Sequence, residues 1–170
     1  MLSCLLAVAG CSTPEKPPPP PETVAPPLPP PVRRQSVIPI RTTWSFTTDK
    51  DECVAVAAAG ATALRIVVHR AVPIRLAVSV QPVLAADQPD VPLRFSGPAG
   101  NWRLAARRFG PHELGATMTA DNLALSRVLV LLSGGGLDIG PPDHTVASLA
   151  IGASDTKGQL WFDCARDKMP

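Results

Sequence analysis

Residues 74–81 read Ile-Arg-Leu-Ala-Val-Ser-Val-Gln, and this stretch decides the fold class. Every second side chain is apolar, and the others are polar or small. The apolar set is Ile74, Leu76, Val78 and Val80. Because successive side chains of a strand point to opposite faces, this pattern predicts a half-buried β-strand with one face in a core.

Further short segments of the same kind lie on both sides of this strand. Alternating or β-branched runs occupy residues 42–48, 53–58, 64–69, 93–95, 102–104, 146–151 and 159–164. The residues expected to form turns between them are Pro82, Pro89, Pro92, Pro98 and Gly100. Many short strands separated by turns predict an antiparallel β-sandwich or barrel.

One helix is expected in the second half of the chain. Asp121 can cap its start, and the glycines at 134–136 can end it. Its apolar face would comprise Leu125, Val128, Leu129 and Leu132. A strand through residues 128–132 is the alternative. The predicted fold is mainly β with one packed helix.

The N-terminus resembles a bacterial lipoprotein signal peptide. An apolar run ends in Val8-Ala9-Gly10-Cys11, with small residues before the cysteine. The resemblance implies that residues 1–10 are removed and that Cys11 carries the lipid, including palmitate. Since no Lys or Arg precedes Cys11, we expect translation to start upstream. A frayed apolar terminus of a cytosolic protein is the alternative.

Residues 11–35 would form the lipidated N-terminus and a proline-rich linker. Eleven of the twenty residues at 13–32 are proline, which removes backbone donors and excludes regular helix or sheet. Such a tract is typical of an extended polyproline II spacer. It predicts a tether toward peptidoglycan, and a ligand for a proline-binding module is the alternative.

Cysteine usage points to a disulfide in the remaining domain, residues 36–170. If Cys4 leaves with the signal and Cys11 carries lipid, then Cys53 and Cys164 remain as one pair. Exported compartments are oxidising, so we expect these two residues to be bridged. A reactive thiol and a metal site are the other interpretations.

The order of elements also resembles the invasion-associated locus B family of exported bacterial β-sandwich proteins. The resemblance lies in Trp44, Cys53, the helix at 123–134 and the strand at 146–151. It implies a β-sandwich and assigns no functional residue. The chain lacks the paired cysteines expected in that family's central region.

Charge is unevenly distributed along the domain. Residues 65–108 contain seven arginines and two aspartates, whereas residues 109–170 contain four basic and seven acidic residues. Arg75, Arg94 and Arg103 each fall on the polar side of a predicted strand, where they could form a basic stripe for an anionic partner. Arg107 and Arg108 could extend the stripe. An ordinary solvated sheet face is the alternative.

Catalytic motifs are lacking. The chain contains no G-x-S-x-G, HExxH or Walker-type motif, and its three histidines lie far apart in sequence. We therefore expect no cofactor, no metal and no enzymatic activity. The alternative is a periplasmic hydrolase or inhibitor-like factor with a cleft near His112, Glu113 and Asp143.

These patterns together predict a membrane-anchored lipoprotein of the cell envelope that acts as a binding or assembly module. It would face the periplasm and contact the membrane through its lipid, with peptidoglycan or an envelope protein as partner. Ser12 after the lipid-bearing cysteine favours the outer membrane over the inner one. A net charge of only +2 argues against nucleic acid.

Overall fold

The computed structural model describes residues 37–84, 89–98 and 100–170. Within them the chain forms ten strands and two helices. These are β1 (Ile40–Arg41), β2 (Thr43–Thr48), β3 (Glu52–Ala59), β4 (Thr62–His69), β5 (Ile74–Ser79), β6 (Asp90–Gly97), β7 (Gly100–Arg108), β8 (Glu113–Met118), α1 (Asn122–Leu132), β9 (Gly135–Ile139), β10 (Ala147–Ile151) and α2 (Thr156–Asp167). The predicted mainly β fold with a packed helix is confirmed.

The strands form one sheet in the order β1-β10-β9-β6-β7-β8-β5-β4-β3-β2. All neighbouring strands pair antiparallel except β1 and β10, which are parallel. The two ends of this order, β1 and β2, are separated in sequence only by Thr42, whose N–H donates to the carbonyl of Ala150 at 3.0 Å. The sheet is therefore curled into a nearly closed barrel.

One face of the sheet forms the core, as the alternation at residues 74–81 predicts. Ile74, Leu76, Val78 and Val80 are at most 2% exposed. They belong to a single apolar cluster that also contains Trp161 of α2 and Val128 of α1. We call the opposite face of the sheet its outer face.

The predicted strand at residues 159–164 is wrong, because this segment lies in helix α2. Asp155 caps the helix by accepting a hydrogen bond from the N–H of Lys157 at 2.9 Å. Its buried residues share one helical face, because Trp161 and Phe162 each lie three or four residues from both Gly158 and Ala165. The predicted disulfide is present and joins Cys164 of this helix to Cys53 of β3.

Helix α1 is confirmed between Asp121 and the glycine run. The Asp121 carboxylate accepts the N–H of Ala124 at 2.7 Å. Its apolar face is rotated from the prediction, because Leu131 is buried while Leu129 is 42% exposed.

Three strands were not predicted, namely the two-residue β1 and the longer β8 and β9, and two residues expected in turns, Pro92 and Gly100, lie in strands. Residues 113–118 form β8, and Gly135 and Gly136, expected only to end the helix, begin β9. Pro92, expected in a turn, lies inside β6. The β6–β9 ladder begins one residue later, at Leu93, and the Pro92 carbonyl accepts the N–H of Gly140.

No helix in the described part of the chain is long and apolar enough to cross a membrane. The signal-like segment, Cys11 and the proline-rich tract lie outside the described residues.

Candidate ligand-binding trough

An open trough of about 970 Å³ lies on the outer face of the sheet, along β4, β5, β8 and β7. This volume is near the upper end of the range for small-molecule sites. Strand register places one row of residues across its middle. In order from β3 to β6 the row is Val56, Arg65, Ala77, Gly115, Arg107 and Asp90.

Small residues create the trough. Ala63, Ala77, Ala105 and Gly115 form its floor, where an exposed sheet face would usually carry longer side chains. They leave a mostly apolar depression instead of a flat polar surface.

The ring of Phe109 forms one wall. It is 73% exposed, yet it lies against Gly115, where a Cβ atom would come within 2.4 Å of the ring atom Cε2. The backbone holds Phe109 in a tight turn, because its N–H donates to the carbonyl of Glu113 at 3.0 Å. Aromatic rings commonly cover strand glycines in this way.

Three arginines line the trough: Arg65, Arg75 and Arg107. None of them forms an ion pair or a side-chain hydrogen bond with another described residue. Arg65 pairs across the ladder with Ala77, so Arg75, two residues earlier on β5, is its diagonal neighbour. Diagonal neighbours on one sheet face lie about 7–8 Å apart, so two like charges stand close together here.

Two carboxylates also line the trough, and both lie on the side of β6 and β8. Asp90 stands directly opposite Arg107, and Glu113 stands opposite Ser79. The positive potential of the trough is therefore strongest at its other side, around Arg65 and Arg75.

The predicted stripe of Arg75, Arg94 and Arg103 is divided between two places. Arg75 lines the trough, whereas Arg94 and Arg103 face each other on β6 and β7. Arg94 already has partners, since its Nη2 lies 3.6 Å from the Asp138 carboxylate and donates to the Thr145 hydroxyl at 2.8 Å. Arg103 is exposed beside it.

The three residues of the alternative catalytic or inhibitory cleft, His112, Glu113 and Asp143, also lie in two separate places. His112 and Glu113 lie where β8 begins, and the His112 ring nitrogen Nδ1 lies 3.1 Å from the Val80 carbonyl oxygen. Asp143 is exposed in the connection between β9 and β10. Strands β7 and β6 lie between β8 and β9 in the sheet. No described contact joins Asp143 to the other two residues.

The described residues contain no group of three His, Cys, Asp or Glu side chains arranged to hold a metal ion. The residues that line the trough offer guanidinium donors and apolar surface, which suit binding of an anion with an apolar part.

Sequence reasoning missed Arg65, although the signal was present. Leu64, Ile66 and Val68 alternate with it in the same way that the core residues of β5 alternate with Arg75. What the pattern could not supply was strand order, which places β8 between β5 and β7 and so brings Arg107 toward Arg65. No known protein family, curated protein or solved structure matches this chain.

Proposed function

We propose that the domain is a binding module of the bacterial cell envelope that holds an anionic ligand in the trough. The observation that carries this proposal is the set of three arginines, Arg65, Arg75 and Arg107, that line an open trough without ion-pair partners among the described residues. Guanidinium groups present forked donors that match carboxylate and phosphate oxygens. An anion would relieve the repulsion between the neighbouring arginines.

The envelope location is part of the same proposal and rests on the sequence. The lipoprotein-like segment ending at Cys11 would anchor the protein, and the proline-rich linker would hold the domain away from the membrane. The periplasm is oxidising, which agrees with the bridge between Cys53 and Cys164. Anionic lipid and peptidoglycan are the ligands that such a position makes accessible.

The test compares two triple variants of the domain. The first changes Arg65, Arg75 and Arg107 to Gln. The control changes Arg41, Arg70 and Arg103 to Gln, which removes the same charge from exposed positions outside the trough. Binding is measured by co-sedimentation with anionic lipid vesicles and with purified peptidoglycan, at low and high salt.

We expect wild type and the control to bind one of these two materials, with weaker binding at high salt because exposed charges are screened. The trough variant should lose this binding while keeping its thermal stability, since exposed substitutions usually change stability by no more than about 0.5 kcal/mol. Equal binding by both triple variants would overturn the proposal, and so would binding lost only in the control. Failure of wild type to bind either material would do the same.

A further inference from the structure

We infer that the ligand of the trough is an amphiphile, with one phosphate or carboxylate head and an apolar chain. This inference rests on the proposed function and specifies the ligand class of the same site. It follows from the division of the trough into a charged end and an apolar floor.

The head site lies between β4 and β5. Arg65 and Arg75 are diagonal neighbours on the outer face, and both side chains are exposed. Two guanidinium groups at this separation can donate to the same tetrahedral or planar anion. Glu52 shares a smaller adjoining cavity with Arg75 but forms no ion pair with it. The head site is therefore positive and open to an anion.

The chain site continues from it across the sheet. Ala77 and Gly115 follow Arg65 along the central row, and the Phe109 ring lies over Gly115. The row from Arg65 to the Phe109 ring over Gly115 crosses two strand spacings, or roughly 10 Å at about 4.8 Å for each spacing. This length accommodates an alkyl chain, and the small floor residues let the chain lie against the backbone. An alkyl chain that lies there removes apolar surface from water, which favours binding.

The end of the trough around Arg107 attracts the anionic head of the ligand less strongly than the end around Arg65 and Arg75. Arg107 lies directly opposite Asp90, so the positive charge at that position is offset. Glu113 adds a second negative charge on that side. An anionic head is thus directed to Arg65 and Arg75, and its chain extends toward Phe109.

The experiment uses soluble probes and isothermal titration calorimetry on wild-type protein. The probes are dodecyl phosphate and dodecanoate, each below its critical micelle concentration, inorganic phosphate, and dodecyl maltoside as a neutral molecule with the same chain. Dodecyl phosphate, dodecanoate or both should bind at least roughly tenfold more tightly than inorganic phosphate and dodecyl maltoside, because only they contact both the arginines and the apolar floor. A tenfold difference in Kd corresponds to about 1.4 kcal/mol of binding free energy. The tighter of the two identifies the head.

Three variants then assign the two halves of the site. Arg65→Gln/Arg75→Gln should weaken binding of the preferred anionic amphiphile roughly tenfold or more, because each charge-assisted hydrogen bond contributes about that factor. Ala77→Leu should weaken it similarly by filling the floor. Thr43→Leu, which places the same leucine side chain at an exposed position of β2 outside the trough, should leave it unchanged.

The outcomes separate this inference from the proposed function. If inorganic phosphate binds as tightly as both amphiphiles, and the arginine variant abolishes that binding, the anion site stands but the amphiphile inference is wrong. If dodecyl maltoside binds as tightly as both charged probes, the head assignment is wrong. If no anion binds, or if Arg65→Gln/Arg75→Gln leaves anion binding unchanged, both proposals fail. The wild-type probe series decides these points even if Ala77→Leu does not fold.

Discussion

The Phe109 ring occupies the space in which a side chain at Gly115 would lie. A Cβ atom at residue 115 would stand 2.4 Å from ring atom Cε2, which no relaxed structure tolerates. The absence of a side chain at Gly115 therefore determines where the ring of Phe109, six residues earlier in the β7–β8 turn, can lie. This wall bounds the trough that we propose as the ligand site.

Gly115→Ala should displace the ring without unfolding the domain. Because Phe109 is 73% exposed, its side chain can rotate into solvent, and we expect the free energy of unfolding to change by less than about 1 kcal/mol. Binding of an amphiphile should weaken, as it should in Phe109→Ala. Urea denaturation and calorimetric titration measure the two effects. An unfolded Gly115→Ala protein would show that the ring is held more firmly than its exposure indicates.

Trp161→Phe should lower the free energy of unfolding less than Trp161→Ala does. Its side chain is fully buried, and its Nε1 has no hydrogen-bond acceptor among the described residues. Trp161→Ala removes a large core side chain and should cost about 3–5 kcal/mol. Trp161→Phe also removes the unpaired donor, so we expect a cost below about 2 kcal/mol. Equal destabilisation of the two variants in urea unfolding would contradict this expectation.

The bridge between Cys53 and Cys164 should contribute substantially to stability. It closes 111 residues and fastens α2 to β3. Replacing both cysteines with Ala should lower the free energy of unfolding by about 2–5 kcal/mol. Wild-type protein unfolded in the presence of a reductant is the matched comparison and should approach the stability of the variant. Alkylation followed by mass spectrometry checks the redox state, and two free thiols in protein taken from the periplasm would refute the pairing.

Cys11 should determine where the protein resides. If it carries the lipid, Cys11→Ser should move the protein from the membrane fraction to the soluble periplasmic fraction. The folded domain should be unaffected, so far-ultraviolet circular dichroism serves as the control. Membrane association that survives the substitution would exclude lipid on Cys11 as the anchor.

Alternation of apolar residues predicted the fold class because the core occupies one face of the sheet. Strand β8 does alternate, with Leu114, Ala116 and Met118 buried, but its centre is Gly115-Ala116, and β9 begins with two glycines. Glycine and alanine are depleted in strands, so both segments are poor in the β-branched and aromatic residues that signal one. The segment containing Trp161 and Cys164 was predicted as a strand, because the helical spacing of its buried residues became clear only with Gly158 and Ala165 included.

The candidate site was predictable in part. Alternation places Arg75 on the outer face of its own strand, but it carries no information about which strands become neighbours. Arg94 satisfied the same pattern, and the structure gives it the Asp138 carboxylate as a partner. Long-range pairing of β5 with β8, and of β8 with β7, is what assembles the trough.

The most direct test of the trough is amide chemical-shift mapping of the isotopically labelled domain, titrated with dodecyl phosphate below its critical micelle concentration. We predict that the saturable shifts cluster on β4, β5 and β8, around Arg65, Ala77 and Gly115, and extend to Phe109. Saturable shifts centred on Arg94 and Arg103, or an absence of saturable shifts, would contradict binding in the trough.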